Sequence, residues 1–384
     1  MTISEEHIKA ASVCIAGRIP FSLVIKPGDD YSTFFATKSD GEAALNSERG
    51  RFKPGFFATF FGDSPSEAVY IPADLEAGEI IDPSFEGSCP PMPASEMTAV
   101  DQSTDFMKYC SSLRSLIGSL KKNRGKTVIS RLIAVRSTSQ PLEVFTRYVS
   151  QVSDSTFRFI FYTPATGIWI GASPELLLSH EYGSGRYSTI SLAGTRRCHE
   201  GEWDAKNQAE HDFVTDYIDF HFRNHGLNVD IQSSVPVVFG SIEHLCEKIE
   251  GRGETDPISL LDDLNPTPAL CGFPVEQAFT NILMHEMHDR KCYGGMLGVA
   301  DDKGFSAYVN LRSCLAVRDA DGSCVYDLFA GGGITAESDP LMEWNEAAAK
   351  AIMLYSSIHG GKPCGSGTLS FSSYDEAFTS AVSK

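Results

Sequence analysis

Apolar residues recur at helical spacing at Phe106, Tyr109, Leu113, Leu116 and Leu120, which predicts a helix over 104–122. Ser103 is its expected N-cap, and Gly125 lies just beyond its end. A β-rich run follows at 126–131, and further strand-like runs stand at 157–162, 168–170, 306–315 and 324–329. Helical stretches are expected near 204–222 and 340–355. Some strands precede a helix while others pair through short turns, so the pattern is mixed α/β and not strict βαβ alternation. Residues 1–100 carry weak periodicity and are read as the N-terminal part of the same fold, with 101–357 as its main region. The proline-rich stretch 83–97 reads as a long surface loop, and the Gly/Ser-rich end, 358–384, as a peripheral tail.

Composition narrows the class. Of 384 residues, 42% are hydrophobic and 21% charged, as in an ordinary soluble globular protein. Fifty acidic against 32 basic side chains give a formal net charge of −18, which argues against a standing grip on nucleic acid or anionic lipid. The polar start of the chain lacks the basic-then-apolar run of a secretory signal, and no stretch approaches the ~20 apolar residues of a membrane span. The ten cysteines are scattered with no CxxC pair, so free thiols are expected and neither a zinc site nor a disulfide framework. The expected location is the cytoplasm.

Several constellations could carry chemistry. In Asp339-Pro-Leu-Met-Glu343-Trp-Asn-Glu346-Ala-Ala-Ala-Lys350, Asp339 can cap a helix and Pro340 suits its first position. Glu343, Glu346 and Lys350 then share one face. Asn207 and Glu210 repeat the i,i+3 spacing on a second helix. Oxygen donors drawn from two helices can hold a hard cation such as Mg2+. A solvated charged face with a Glu346–Lys350 ion pair is the plainer alternative. Phe329-Ala-Gly331-Gly332-Gly333-Ile334 reads as a glycine turn after a strand, whose N–H groups could cradle an anion, or as a turn with no ligand. Glu175 stands among apolar residues in GASPELLL, where burial would raise its pKa as a general acid requires; a solvated strand-end carboxylate is the other reading. His285-Glu-Met-His288 is not HExxH and reads as exposed helix polarity.

Taken together and in order, these segments resemble the chorismate-utilising enzymes: isochorismate, salicylate and anthranilate synthases and aminodeoxychorismate synthase component I. The resemblance rests on GKTVISR (125–131), GASPELLL (171–178), LAGTRR (192–197), KNQAEH (206–211), IEHL with IEG (242–251), NPTPALCGFP (265–274), YGGMLG (293–298), VNLRSCL (309–315) and FAGGGI…DPLMEWNEAAAK (329–350). It implies a single large domain, α/β in the α+β sense and anthranilate synthase component I-like. Antiparallel sheets would form a sandwich flanked by helices, around a central cleft.

The resemblance also implies roles. Family members that add water carry a lysine in the KxVxSR strand, where this chain has Lys126. Lys126 would be the general base for water attacking C2 of chorismate, and Glu175 the general acid that protonates the departing C4 hydroxyl. Glu210 and Glu346 match Mg2+ ligands, with Glu343 and Asn207 at outer positions that act through water. Asn207 departs from the acidic residue of many relatives. Arg312, Gly331 and Lys350 match positions that hold the substrate carboxylates, and Gly194, Thr195, Ala269 and His244 fall at other pocket positions. The PTPAL-GFP form, with Ala269 and Val275 where salicylate and anthranilate members carry threonine and lysine, is most like isochorismate synthases of the catecholate-siderophore type. That implies Mg2+ as cofactor, chorismate as substrate and no glutamine amidotransferase subunit, with downstream isochorismate-consuming enzymes as the implied partners. Salicylate synthase is the nearest alternative. A non-catalytic acidic cation-binding protein is the alternative from another class.

Overall fold

The computed structural model describes residues 3–39, 43–46, 50–85, 97–123, 125–198, 201–239 and 242–360. Most of the expected loop at 83–97 and of the expected tail lies outside these residues, although Ile358 closes a helix and does not begin a tail.

Two antiparallel sheets organise the chain. In spatial order the first contains Gly272–Phe273, Lys126–Ser137, Cys324–Ile334, Ser313–Arg318, Gly167–Ser173, Phe157–Thr163, Phe21–Ile25 and Thr33–Ala36. The second contains Asn228–Ile231, Ile242–Arg252, Arg186–Arg197, Leu176–Glu181, Gly304–Val309, Met296–Ala300, Gly55–Ala58 and Val69–Pro72; Val235–Phe239 also pairs with Ile242–Arg252. Eight α-helices accompany them among the described residues.

The side-chain period of two explains why the middle strands read as unbroken apolar runs. Phe157, Phe159 and Phe161 enter a core shared with Phe56, Leu178, Leu297 and Phe305 of the second sheet. Ile160 and Tyr162, on the alternate positions of the same strand, belong to a different core, with Ala10 and Cys14 of Glu5–Gly17, Phe145 of Pro141–Val149 and Leu354 of Pro340–Ile358. The sheets therefore pack face to face, and helices cover the first sheet from outside. This is the mixed α/β pattern read from the sequence, in the sandwich that the family resemblance implied.

Some expectations require correction. The 306–315 run is two strands in different sheets, because the chain crosses over at Asn310–Arg312, where Arg312 takes a left-handed φ of 51°. The glycines 331–333 form no turn. They lie inside the Cys324–Ile334 strand, with Gly331 opposite Ser130 and Gly333 opposite Val128. Ser103 does not cap the helix, which spans Phe106–Asn123; its hydroxyl accepts from Ala134 N, and Asp105 Oδ1 accepts the Lys108 N–H instead.

Pro340–Ile358 begins as expected. Asp339 Oδ1 accepts from Leu341 N and Met342 N, both at 3.0 Å, and Pro340 needs no donor partner at the first turn. Asp339→Ala should lower stability by about 1 kcal/mol, read as a shift of the denaturation midpoint at constant slope. An unshifted midpoint would mean that the cap does not hold this helix.

Candidate active site

Ser313–Arg318 covers only the Cys324–Leu328 part of the Cys324–Ile334 strand, so beyond Leu328 that strand has a neighbour on one side alone, the Lys126–Ser137 strand. The free edge opens into a cleft continuous with solvent. Phe329, Ala330 and the three glycines line it, together with Lys126, Glu175, Gly194, Thr195, Glu210, His244, Ala269, Arg312 and Lys350. Ten of the thirteen sequence candidates thus meet in one cavity; Asn207, Glu343 and Glu346 are not among its lining residues.

The glycines are explained by what approaches them. A Cβ on Gly333 would lie 2.2 Å from Glu210 Oε1 and 2.6 Å from Lys126 Cε; one on Gly332 would lie 2.9 Å from Glu343 Oε2 and 3.3 Å from Glu346 Oε1. A bare strand lets three carboxylates and an amine reach the backbone. Lys126, 1% exposed, sets its Nζ 3.0 Å from Glu210 Oε1. Lys350 Nζ lies 2.9 Å from Glu346 Oε1 and donates to Gly331 O at 2.9 Å, so the expected i,i+4 pair exists but turns toward the cleft and not to open solvent. Glu343, 1% exposed, accepts from Ser338 Oγ at 2.6 Å.

Glu175 and Arg312 each sit where the chain passes from one sheet to the other. Glu175 follows Gly167–Ser173 and precedes Leu176–Glu181; Arg312 follows Gly304–Val309 and precedes Ser313–Arg318. The two crossovers are bonded to each other through Val309 N to Glu175 O, Ala172 N to Arg312 O and Ser173 Oγ to Val309 O. Burial pushes the Glu175 carboxyl up to about 8, a rise moderated by the nearby cations Lys126, Lys350 and Arg312. At neutral pH it is therefore mostly protonated and can donate.

His244 is fixed between two neighbours. Its Nε2 faces Arg312 Nη2 at 2.7 Å, and guanidinium only donates, so Nε2 accepts. Nδ1 then carries the hydrogen and donates to Gly194 O at 2.9 Å. Burial and the Arg312 charge hold this imidazole well below the ordinary histidine range. Asn207 is committed elsewhere: its Oδ1 accepts from Thr195 N at 2.8 Å and its Nδ2 donates to Asp204. It anchors the Gly194–Thr195 wall to the start of Ala205–Asn224. Gly194, at φ 72°, has no room for a Cβ beside Asn207 O.

Sequence reasoning missed a buried group behind the Lys126 strand. Glu286 and His288 are not exposed helix polarity, because the helix ends at His285 and the chain turns inward. Their side chains are 2% and 3% exposed. Glu286 Oε1 accepts from Ser130 N, Ser130 Oγ and Arg290 Nη2. Arg290 also donates to Val128 O and Leu270 O, tying together two cleft-lining segments. The i,i+4 Glu286–Arg290 spacing beside YGGMLG was the available signal. Tyr293 and Phe329, stacked at 5.4 Å, supply an aromatic wall that was likewise not singled out.

A family model described as chorismate binding enzyme matches residues 83–359. This chain belongs to the chorismate-binding enzyme family. Among its relatives, isochorismate synthase EntC of Escherichia coli is 29% identical over 271 residues, covering 66% of this chain and 67% of that one. The vibriobactin-specific isochorismate synthase of Vibrio cholerae is 32% identical over 246 residues, covering 59% and 60%. The menaquinone-specific isochorismate synthase MenF of Escherichia coli shares the fold, with a TM-score of 0.70 at 18% identity over 88% of each chain. The protein is thus an enzyme of the chorismate-binding family, and the cleft built on its bare strand is the candidate site.

Gly333→Ala tests that assignment. The added methyl must displace Glu210 or Lys126, so chorismate affinity measured by calorimetry should fall about tenfold or more, roughly 1.4 kcal/mol, with the far-ultraviolet spectrum unchanged. Wild-type affinity in a folded variant would remove the glycine edge from the site.

Proposed function

We propose that this enzyme is an isochorismate synthase, exchanging the C4 hydroxyl of chorismate for a hydroxyl at C2. The observation that carries the reading is a buried lysine, Lys126, lining the same cleft as a buried carboxyl held protonated, Glu175. Lys126 Nζ takes a proton from water as its oxygen bonds to C2. The ring double bond migrates, the C4–O bond breaks, and Glu175 gives its proton to the departing hydroxyl, which leaves as water. Arg312 and Lys350 offer charge to the substrate carboxylates, with Gly331, Gly194, Thr195, His244 and Ala269 shaping the walls.

The donor set fits Mg2+. Among the described residues no group of three or more His, Cys, Asp or Glu side chains is already gathered as a metal site. Mg2+ commonly takes only one or two protein carboxylates, leaving its other positions to water and substrate. Glu210 and Glu346 supply hard oxygen donors at adjacent glycines that leave room for them, with Glu343 behind. Bound there, the ion would neutralise the ring carboxylate of chorismate. Asn207 in this reading positions Thr195, and any contact it makes to the ion runs through water.

The PTPAL form of 266–270 and the vibriobactin-specific relative favour a siderophore role. No described helix is long and apolar enough to cross a membrane. The described cysteines are free thiols, which suits the cytoplasm as the proposed compartment. The reading requires no ammonia-supplying partner, since Lys126 serves water.

Incubation with chorismate and Mg2+ should yield isochorismate without salicylate fluorescence, and chelation should stop turnover until Mg2+ is restored. Steady salicylate release, or full turnover without a divalent ion, overturns this assignment. Lys126→Ala should abolish turnover while chorismate still binds, and Glu175→Gln should slow both directions by about 10^2- to 10^4-fold. Because Glu175 must be protonated, forward activity should decline as pH rises through about 8. Near-normal rates in either variant would reassign that role.

A further inference from the structure

A residue other than glycine at φ 51° is strained and persists only where its surroundings hold it. Arg312 is such a residue, at the crossover between the sheets. Its side chain is engaged by His244 Nε2 at 2.7 Å and lies over the Phe239 ring at 5.0 Å. Its backbone is engaged from the opposite direction. The Tyr148 hydroxyl donates to Arg312 O at 3.2 Å, beside the longer contact from Ala172 N at 3.4 Å.

Tyr148 belongs to Pro141–Val149, a helix on the outer face of the first sheet, and is 2% exposed. Among the residues lining the cleft it does not appear. Its neighbours Val144, Phe145 and Val149 account for packing with purely apolar side chains, so packing alone does not call for a hydroxyl at this position. Burial raises its pKa, which keeps the proton on the phenol and the group a donor.

We propose that Tyr148 is a positioning residue for the anion site: its hydroxyl holds the Arg312 carbonyl so that the guanidinium faces the cleft. The inference rests on the proposed use of Arg312 for a substrate carboxylate. It reaches the site from outside, through the strand layer, and touches no substrate. Without the hydroxyl, the left-handed peptide loses its shorter tether and Arg312 samples orientations that no longer meet the carboxylate. Since Arg312 would bind substrate and transition state alike, the loss should fall on affinity and KM and not on kcat.

The test compares Tyr148→Phe, Arg312→Lys and the double variant in the full chain, with chorismate Kd from calorimetry, KM and kcat from isochorismate formation, and the thermal midpoint for each. Tyr148→Phe is expected to weaken Kd and raise KM three- to tenfold, and to add nothing in the Arg312→Lys background. An unchanged Kd, a kcat loss without a change in Kd, or the same loss in the Arg312→Lys background overturns the proposal. A lowered thermal midpoint with wild-type Kd also overturns it, as it marks Tyr148 as structural only. A wild-type protein that binds chorismate without converting it refutes the isochorismate synthase reading alone, and the Kd comparison still decides the role of Tyr148.

Discussion

Eleven consecutive residue pairs join Cys324–Ile334 to Lys126–Ser137, and the site depends on that ladder. It fixes Lys126 beside the end of a strand whose last glycines have no side chains to place. The ladder holds the strand from one side; on its free edge the charged residues occupy the space the glycines leave, and Lys350 Nζ donates to Gly331 O. Glu210 arrives from one helix and Glu343 and Glu346 from another, and both helices stop at a distance that only a glycine surface permits. Position and chemistry therefore derive from one contact between two strands.

The net charge of −18 first argues against an anionic ligand. Locally the balance is different. Lys126, Lys350 and Arg312 line the cleft, while among its acidic neighbours Glu175 is mostly protonated at neutral pH. The remaining carboxylates gather at the glycine edge, where a cation would be retained in the proposed reading. Electrostatics at short range in a low-dielectric cleft outweighs the screened average over the surface.

Much of this arrangement was legible from residue patterns. The amphipathic helix near 104–122, the Asp339 cap and the shared face of Glu343, Glu346 and Lys350 follow from local rules that tertiary structure did not overturn. The failures were of one kind. An apolar run at 306–315 gives no sign of changing sheets, because Asn310–Arg312 contains neither glycine nor proline. Three glycines normally mark a turn, and here they are extended because distant side chains need the room. Glu286 and His288 continue a helical pattern in sequence, but the helix ends at His285 and their polar groups turn inward to Ser130 and Arg290. For the glycines and for Glu286 the deciding partners, Glu210 and Ser130, lie far along the chain, beyond the reach of local periodicity. Asn265 likewise reaches a distant partner: its amide donates to Asp63 O and joins two loops.

The paired crossovers at Glu175 and Arg312 have a mechanical consequence. Each is a rivet that passes through both layers of the sandwich, and the rivets are bonded to one another. The layers cannot slide or gape at that end without breaking both. The spacing between the proton donor and the guanidinium is therefore insulated from breathing of either sheet. The floor that carries the proton donor and the guanidinium acts as a gauge block.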